Sequence, residues 1–267
     1  MNTVGFIGCG NMGSAIATAV AKAIEPSQIL LANKTASKAE ALAASLGCQA
    51  GSNAKAAENC TYIFLGVKPQ MMADMLTPLQ PVLRERTDAF VLVTMAAGLT
   101  IADIQAMADG SYPVIRIMPN TPVAIGQGMI QACASPEVTE CTLAEFQMFM
   151  KECGRLDFLP EHLIDAASAL SGCGPAYVYL FLEALADGAV ECGLPRQKAY
   201  EYASQTLIGA ASMVLETGRH PGELKDAVCS PGGTTIAGVH ALERDGLRNA
   251  AMDAVKAAYD RTAALKK

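Results

Sequence analysis

Tryptophan is absent from this chain of 267 residues, and histidine occurs three times. His162, His220 and His240 are scattered, which excludes a zinc site built on histidine spacing and a Ser-His-Asp arrangement. Charge is scarce too: 17% of residues are charged, and 20 basic against 26 acidic side chains leave a net charge of −6. No basic cluster exceeds the terminal Lys266-Lys267, so nucleic acid is not an expected partner. Uninterrupted apolar runs of about 18 residues, the length that spans a bilayer, are missing, so no membrane partner is expected. Met1 to Gly8 lacks the basic region and long apolar run of a secretory leader, which makes the cytoplasm the expected location. The nine cysteines form no C-x-x-C pair and are odd in number, a pattern of free thiols in a reducing compartment.

Apolar types make up 51% of the chain, ample for a packed core. Up to about residue 160, short apolar runs alternate with amphipathic stretches. Thr3 to Ile7, Ile29 to Ala32, Thr61 to Leu65, Phe90 to Val93 and Val114 to Ile117 read as strands buried on both faces. Met12, Ile16, Val20 and Ile24 recur at helical spacing between the first two. The expected fold class is α/β: an N-terminal Rossmann domain with a doubly wound, mostly parallel sheet over residues 1–160, then an all-α domain over 161–267. In the second half Pro175 to Cys192 is apolar nearly all round, Ala199 to Val214 keep helical spacing until Gly218, and Leu247 to Leu265 form a last stripe. A helix apolar on every side must be enclosed, so this half is expected to complete its core with a second subunit, or else against the sheet domain.

Gly8-Cys9-Gly10-Asn11-Met12-Gly13 follows the first strand and opens the first helix, the setting in which G-x-G-x-x-G signals dinucleotide binding. The first glycine permits the tight turn, the second lets backbone approach a pyrophosphate, and the third lets helix and strand touch. Helix amides then face the anion. About 20 residues beyond, where an NAD-binding chain places a carboxylate against the ribose, this chain reads Asn33-Lys34-Thr35. An amide, an ammonium and a hydroxyl accommodate a 2′-phosphate, which favours NADPH over NADH. The bland alternative is a polar loop in which Thr35 or Ser37 caps the next helix.

Three further segments stand out. Gly66 to Gln70 ends a strand at the edge where parallel sheets line a ligand crevice. Arg116-Ile117-Met118-Pro119-Asn120-Thr121-Pro122 ends another strand in a rigid, proline-set loop. Ser230-Pro231-Gly232-Gly233-Thr234-Thr235 opens an amphipathic run, where glycines expose unpaired helix amides beside hydroxyls. That is a neutral cradle suited to a carboxylate, or simply a helix capped by Ser230 or Thr234.

Taken together, GCGNMGSA from Gly8, VKPQ from Val67, RIMPNTP from Arg116, ALSGCGPAYVY from Ala169 and HPGELKDAVCSPGGTTIAGVHALE from His220 resemble the pyrroline-5-carboxylate reductase family along essentially the whole chain. The resemblance implies reduction of L-1-pyrroline-5-carboxylate to L-proline by NADPH, with NADH as the alternative. It implies an interlocked homodimer through the helical domain, with larger rings of dimers, up to a decamer, in many members. The family's carboxylate cradle falls on Ser230, Gly232, Gly233, Thr234 and Thr235, with the Thr235 hydroxyl near the ring nitrogen as catalytic group. Its cofactor contacts fall on Gly8, Gly10, Asn11, Met12 and Gly13, on Asn33, Lys34, Thr35 and Asn53, on Val67, Lys68 and Pro69, and on Ala97 and Gly98. Many bacterial relatives have Arg where this chain has Lys34; lysine keeps the charge but loses the bidentate fork.

A β-hydroxyacid dehydrogenase also pairs a Rossmann half with a helical half, but it needs a helical lysine that Pro175 to Cys192 lacks. An NADP-sensing protein would bind the cofactor without consuming it.

Overall fold

The computed structural model describes residues 2–265. Strands β1 (Asn2–Ile7), β2 (Ile29–Ala32), β3 (Gln49–Gly51), β4 (Cys60–Leu65), β5 (Val91–Thr94), β6 (Val114–Met118), β7 (Gly128–Ala134) and β8 (Gly154–Phe158) form one sheet. Their order is β3-β2-β1-β4-β5-β6-β7-β8, parallel except for the β6–β7 pair. The chain runs outward from β1 through β2 to β3, then crosses back to β4, so the winding reverses between β1 and β4. Open parallel sheets bind ligands at such a reversal, beyond the carboxyl ends of the strands.

Central strands are apolar along their length because helices cover both faces. On one face α1 (Asn11–Ala23) and α2 (Ala36–Leu46) press Ile16, Val20, Ala39 and Ala43 onto Val4, Phe6 and Leu31. On the other, α3 (Asn53–Asn59), α4 (Met72–Leu76), α5 (Gln80–Glu85) and α6 (Ile101–Ala108) bury Ala56, Met72, Leu83 and Ile104 against Ile7, Ile63 and Leu92. Helix α7 (Glu140–Met150) returns to the first face, where Phe149 meets Tyr62 and Phe64 edge-on and Phe146 lies tilted against Tyr62 and stacked with Phe64. Helix α8 (Ile164–Ser171) lies on the second face through buried Ile164.

Contacts divide the chain into a sheet unit, reaching Cys173 and including the segment from Ala258, and a helical unit over 174–257. That division falls later than residue 160, because polar bonds tie α8 to the sheet. The helical unit holds α9 (Gly174–Glu191), α10 (Arg196–Thr217), α11 (Pro221–Ala227), α12 (Thr234–Arg244) and the start of α13 (Leu247–Leu265). Gly193 (φ +94°) turns α9 into α10, which pack together. Tyr177 Oη on α9 donates to Ala254 O on α13 at 3.3 Å. Among the described residues of this unit, Ala186 and Ala199 are the buried apolar side chains, while Leu180 is 70% and Leu215 68% exposed.

Candidate active site

The glycine turn is fixed by close backbone packing at the winding reversal. Gly8 has φ +105°, and its N–H donates to Ala32 O at 2.8 Å, while Gly66 N–H donates to Ile7 O at 2.8 Å. A Cβ on either Gly13 or Gly66 would sit 2.3 Å from Gly8 O, so the ends of β1, β4 and α1 meet where no side chain fits. Gly10 differs: a Cβ there would meet nothing within 4 Å. As the N-cap of α1, Gly10 offers no side-chain cap, so the first helix amides stay available to an anion.

Asn33, just past β2, ties the turn to the neighbouring loop. Its Oδ1 accepts from Cys9 N–H at 3.2 Å, and its Nδ2 donates to Thr35 O at 3.2 Å. The Asn33 amide thus holds backbone in place on both sides of the turn. Thr35 is the N-cap of α2 but makes no side-chain cap bond, against the capping alternative. Burial pushes the Cys9 thiol up to about 11, so it stays uncharged within the turn.

A cleft of about 490 Å³ opens at this point, and seven of the expected cofactor residues line it: Gly8, Gly10, Asn33, Lys34, Asn53, Val67 and Lys68. A neighbouring hollow of about 630 Å³ shares Asn33, Lys34, Asn53 and Pro78 with it. Asn11, Met12 and Gly13 form the first turn of α1, and Pro69 starts a short turn after Lys68. Ala97 and Gly98 lie in the loop after β5, with Gly98 at φ +80°, and do not line this cleft. Ile7, Gly66, Met71, Asp74, Met75 and Pro78 complete the wall. Of these, Gly66 carries a local signal, a glycine ending an apolar strand; Met75 and Pro78 arrive by packing of α4 and its following turn. The residues fit a dinucleotide: open space at Gly10, unpaired helix amides, and no carboxylate over 33–35.

In the helical unit, Ser230 to Thr235 make a tight turn into α12. Gly233 N–H donates to Ser230 O at 3.0 Å, and Gly232 takes φ +68°, which a glycine adopts without strain. Gly233 is the N-cap of α12 with no side-chain cap bond, so neither Ser230 nor Thr234 caps the helix. The structure therefore gathers Ser230, Gly232, Gly233, Thr234 and Thr235 around a helix N-terminus whose amides await a partner, as a carboxylate cradle requires.

A Rossmann sheet with this glycine turn, followed by a helical unit, defines a dinucleotide-binding oxidoreductase. Residues 3–98 match the family model described as NADP oxidoreductase coenzyme F420-dependent, and residues 161–265 match pyrroline-5-carboxylate reductase dimerisation. The chain is 42% identical to pyrroline-5-carboxylate reductase from Pisum sativum over 97% of its own length and 94% of that protein's. It is 39% identical to the Escherichia coli pyrroline-5-carboxylate reductase, over 99% of this chain and 98% of the relative. The Plasmodium falciparum pyrroline carboxylate reductase, solved with NADP bound, superposes with a TM-score of 0.88 at 31% identity, covering 100% of this chain and 98% of that one. The chain belongs to the pyrroline-5-carboxylate reductase family.

Proposed function

We propose that the protein reduces L-1-pyrroline-5-carboxylate to L-proline, the last step of proline biosynthesis, with NADPH preferred and NADH as a weaker alternative. The observation that carries this reading is the turn from Ser230 to Thr235: uncapped α12 amides beside hydroxyls, a site for a small carboxylate in a chain that also holds a dinucleotide cleft. Gly8, Gly10 and Gly13, with Asn11 and Met12, would present backbone to the pyrophosphate. Lys34 and Thr35 would hold the 2′-phosphate on Asn33's scaffold. Asn53, Val67, Lys68 and Pro69 would line the nucleotide, with Ala97 and Gly98 toward the nicotinamide. When bound, NADPH supplies the hydride.

On the substrate side, the amides at Gly233 and Thr234, with Ser230 and Gly232, anchor the carboxylate. Thr235 orients the ring nitrogen by a hydrogen bond. No strongly basic side chain is required, since reduction of a cyclic imine rests on positioning and a fixed polar environment.

The exposed apolar side chains of the helical unit support a homodimer, which larger members of the family's ring type would extend to a decamer. By length and composition Glu161–Glu191 could also cross a bilayer. Glu183 and Asp187 within α9, and the dimerisation model over the same residues, favour a second copy of the chain instead. Nine unpaired thiols fit a reducing compartment such as the cytoplasm.

The test is oxidation of NADPH, followed at its absorbance band, on adding pyrroline-5-carboxylate, with light scattering for mass. Turnover by a protein of at least dimeric mass is the expected result. NADPH bound but not consumed would replace this reading with that of a binding protein, and a monomer at micromolar concentration would overturn the assembly.

A further inference from the structure

Among the described residues Arg116 is the largest fully buried side chain, 1% exposed in the middle of β6 and surrounded by an otherwise apolar strand. Its guanidinium reaches toward α8: Nη1 donates to Glu161 Oε1 at 3.2 Å and Nη2 to Asp165 Oδ1 at 2.9 Å. The same Glu161 oxygen accepts the Ile101 N–H at 2.8 Å, the first amide of α6. Among the described residues Arg116 Nε has no partner. A buried cation with one donor unmet, paired with carboxylates that keep part of their access to water, is a weak source of stability, and an apolar replacement of all partners is often neutral. What such a cluster does supply is a fixed geometry.

The other end of α8 is held separately. Asn120, 9% exposed in the loop after β6, donates from Nδ2 to Ser171 O at 3.0 Å and accepts from Met129 N–H at 3.0 Å. Ser171 Oγ donates to Gln131 Oε1 on β7 at 2.9 Å. Directly after Ser171 come Gly172, Cys173 and Gly174, where the chain leaves the sheet unit.

We propose that Arg116 and Asn120 are positioning residues for the reaction, locking α8 onto the sheet at both ends so that the stretch from Glu161 to Cys173 keeps one place within the sheet unit. The effect on catalysis rests on the function proposed above; the locking itself does not. Loss of either lock should leave the cleft in place, because among the described residues the hydrogen bonds of the cluster run to Glu161, Asp165, Ile101, Met129, Ser171 and Gln131 and to no residue of the glycine turn. It loosens the last helix of the sheet unit before Gly174, so the cost falls on kcat rather than on NADPH binding.

The experiment compares wild type with Asn120→Ala and Arg116→Met by hydrogen-exchange mass spectrometry, NADPH binding and steady-state kinetics. Expected are faster exchange over α8 with the glycine-turn peptide unchanged, NADPH Kd within twofold of wild type, and kcat lowered tenfold or more at near-constant KM. If Arg116→Met does not fold, Asn120→Ala carries the same test. Unaltered α8 protection in a folded variant overturns the lock, as does loss of NADPH affinity in step with kcat. Wild type that fails to reduce the imine sinks the proposed function alone, since the exchange data still decide whether α8 is held.

Discussion

Two glycines of one turn make opposite demands, and alanine at each separates them. A Cβ on Gly13 would lie 2.3 Å from Gly8 O, an overlap with backbone that no side-chain rotation relieves. The turn and α1 must move apart, and overpacking of this kind costs roughly 1–3 kcal/mol, occasionally more. Gly13→Ala therefore lowers thermal stability in the absence of any ligand. A Cβ on Gly10 meets nothing within 4 Å, and the residue's φ of −77° suits any amino acid. Gly10→Ala should lose only about 0.5–1 kcal/mol of stability, the scale of a poorer N-cap. Its methyl group, however, points into the space that a pyrophosphate would take against the α1 amides. Removing even one charge-assisted hydrogen bond of about 1.5–3 kcal/mol weakens binding by roughly tenfold to a hundredfold.

Thermal unfolding of the free protein and fluorescence titration with NADPH read the two effects independently. Gly13→Ala should shift the melting temperature strongly. Gly10→Ala should barely shift it while losing at least tenfold in affinity. Wild-type affinity in a folded Gly10→Ala variant would refute the placement of the pyrophosphate over this turn.

Lys34→Ala should reduce kcat/KM for NADPH about fivefold while leaving NADH unaffected, since an exposed ammonium paired with a phosphate contributes about 1 kcal/mol; equal losses with both cofactors would remove Lys34 from 2′-phosphate recognition. Thr235→Ala should lower kcat/KM for the imine by roughly a hundredfold, the low end of what a positioned proton-donating group contributes, with an unchanged melting temperature because its hydroxyl caps nothing. Thr235→Ser should restore much of the rate, and a serine variant as slow as alanine would point to a steric role. Burial pushes Cys60 and Cys133 up to about 11 and Cys153 up to about 12, against an ordinary 9.0. The folded chain holds these protons more tightly than the unfolded one, so stability is full below pH 9 and falls as pH rises toward 11. Cys153→Ala should lose less melting temperature across that window than wild type; an identical loss would assign the alkaline sensitivity elsewhere.

Much of the sheet unit is written locally. Strands at Val4, Leu30, Ile63, Leu92 and Ile115 are continuous apolar runs because both their faces are covered, and the stripe from Met12 to Ile24 needs only the period of a helix. The glycine turn is legible for the same reason, since each glycine answers a constraint set within a few residues. Where the signal fails, the physics is nonlocal or weak. β3 has three residues, Gln49 and Ala50 exposed, so nothing marks it except pairing with β2. β8 alternates between half-buried and exposed positions, and β7 carries buried Gln131 in its middle. Met75 and Pro78 reach the cleft through the packing of a crossover helix, which no spacing in the sequence encodes.

The change of composition near residue 160 marks where strands end, with β8 closing at Phe158, and that is a statement about secondary structure. Which body a helix belongs to depends instead on its partners, and for α8 these are polar and distant. Glu161 and Asp165 stand 45 and 49 residues beyond Arg116, and Ser171 stands 51 beyond Asn120. An arginine inside the run from Val114 to Met118 reads as one polar interruption of a strand. Only when the guanidinium is seen to be buried does it demand anions close by, since an uncompensated charge there would cost several kcal/mol. The carboxylates that answer the demand lie on α8 and on the short turn that leads into it, so the sheet extends its hold past the point where its own pattern stops. The family's dimerisation model begins at the same residue, Glu161. One segment is thus bound to the sheet by its contacts and counted with the helical part by its family model, so neither composition nor family boundary alone says which body it belongs to.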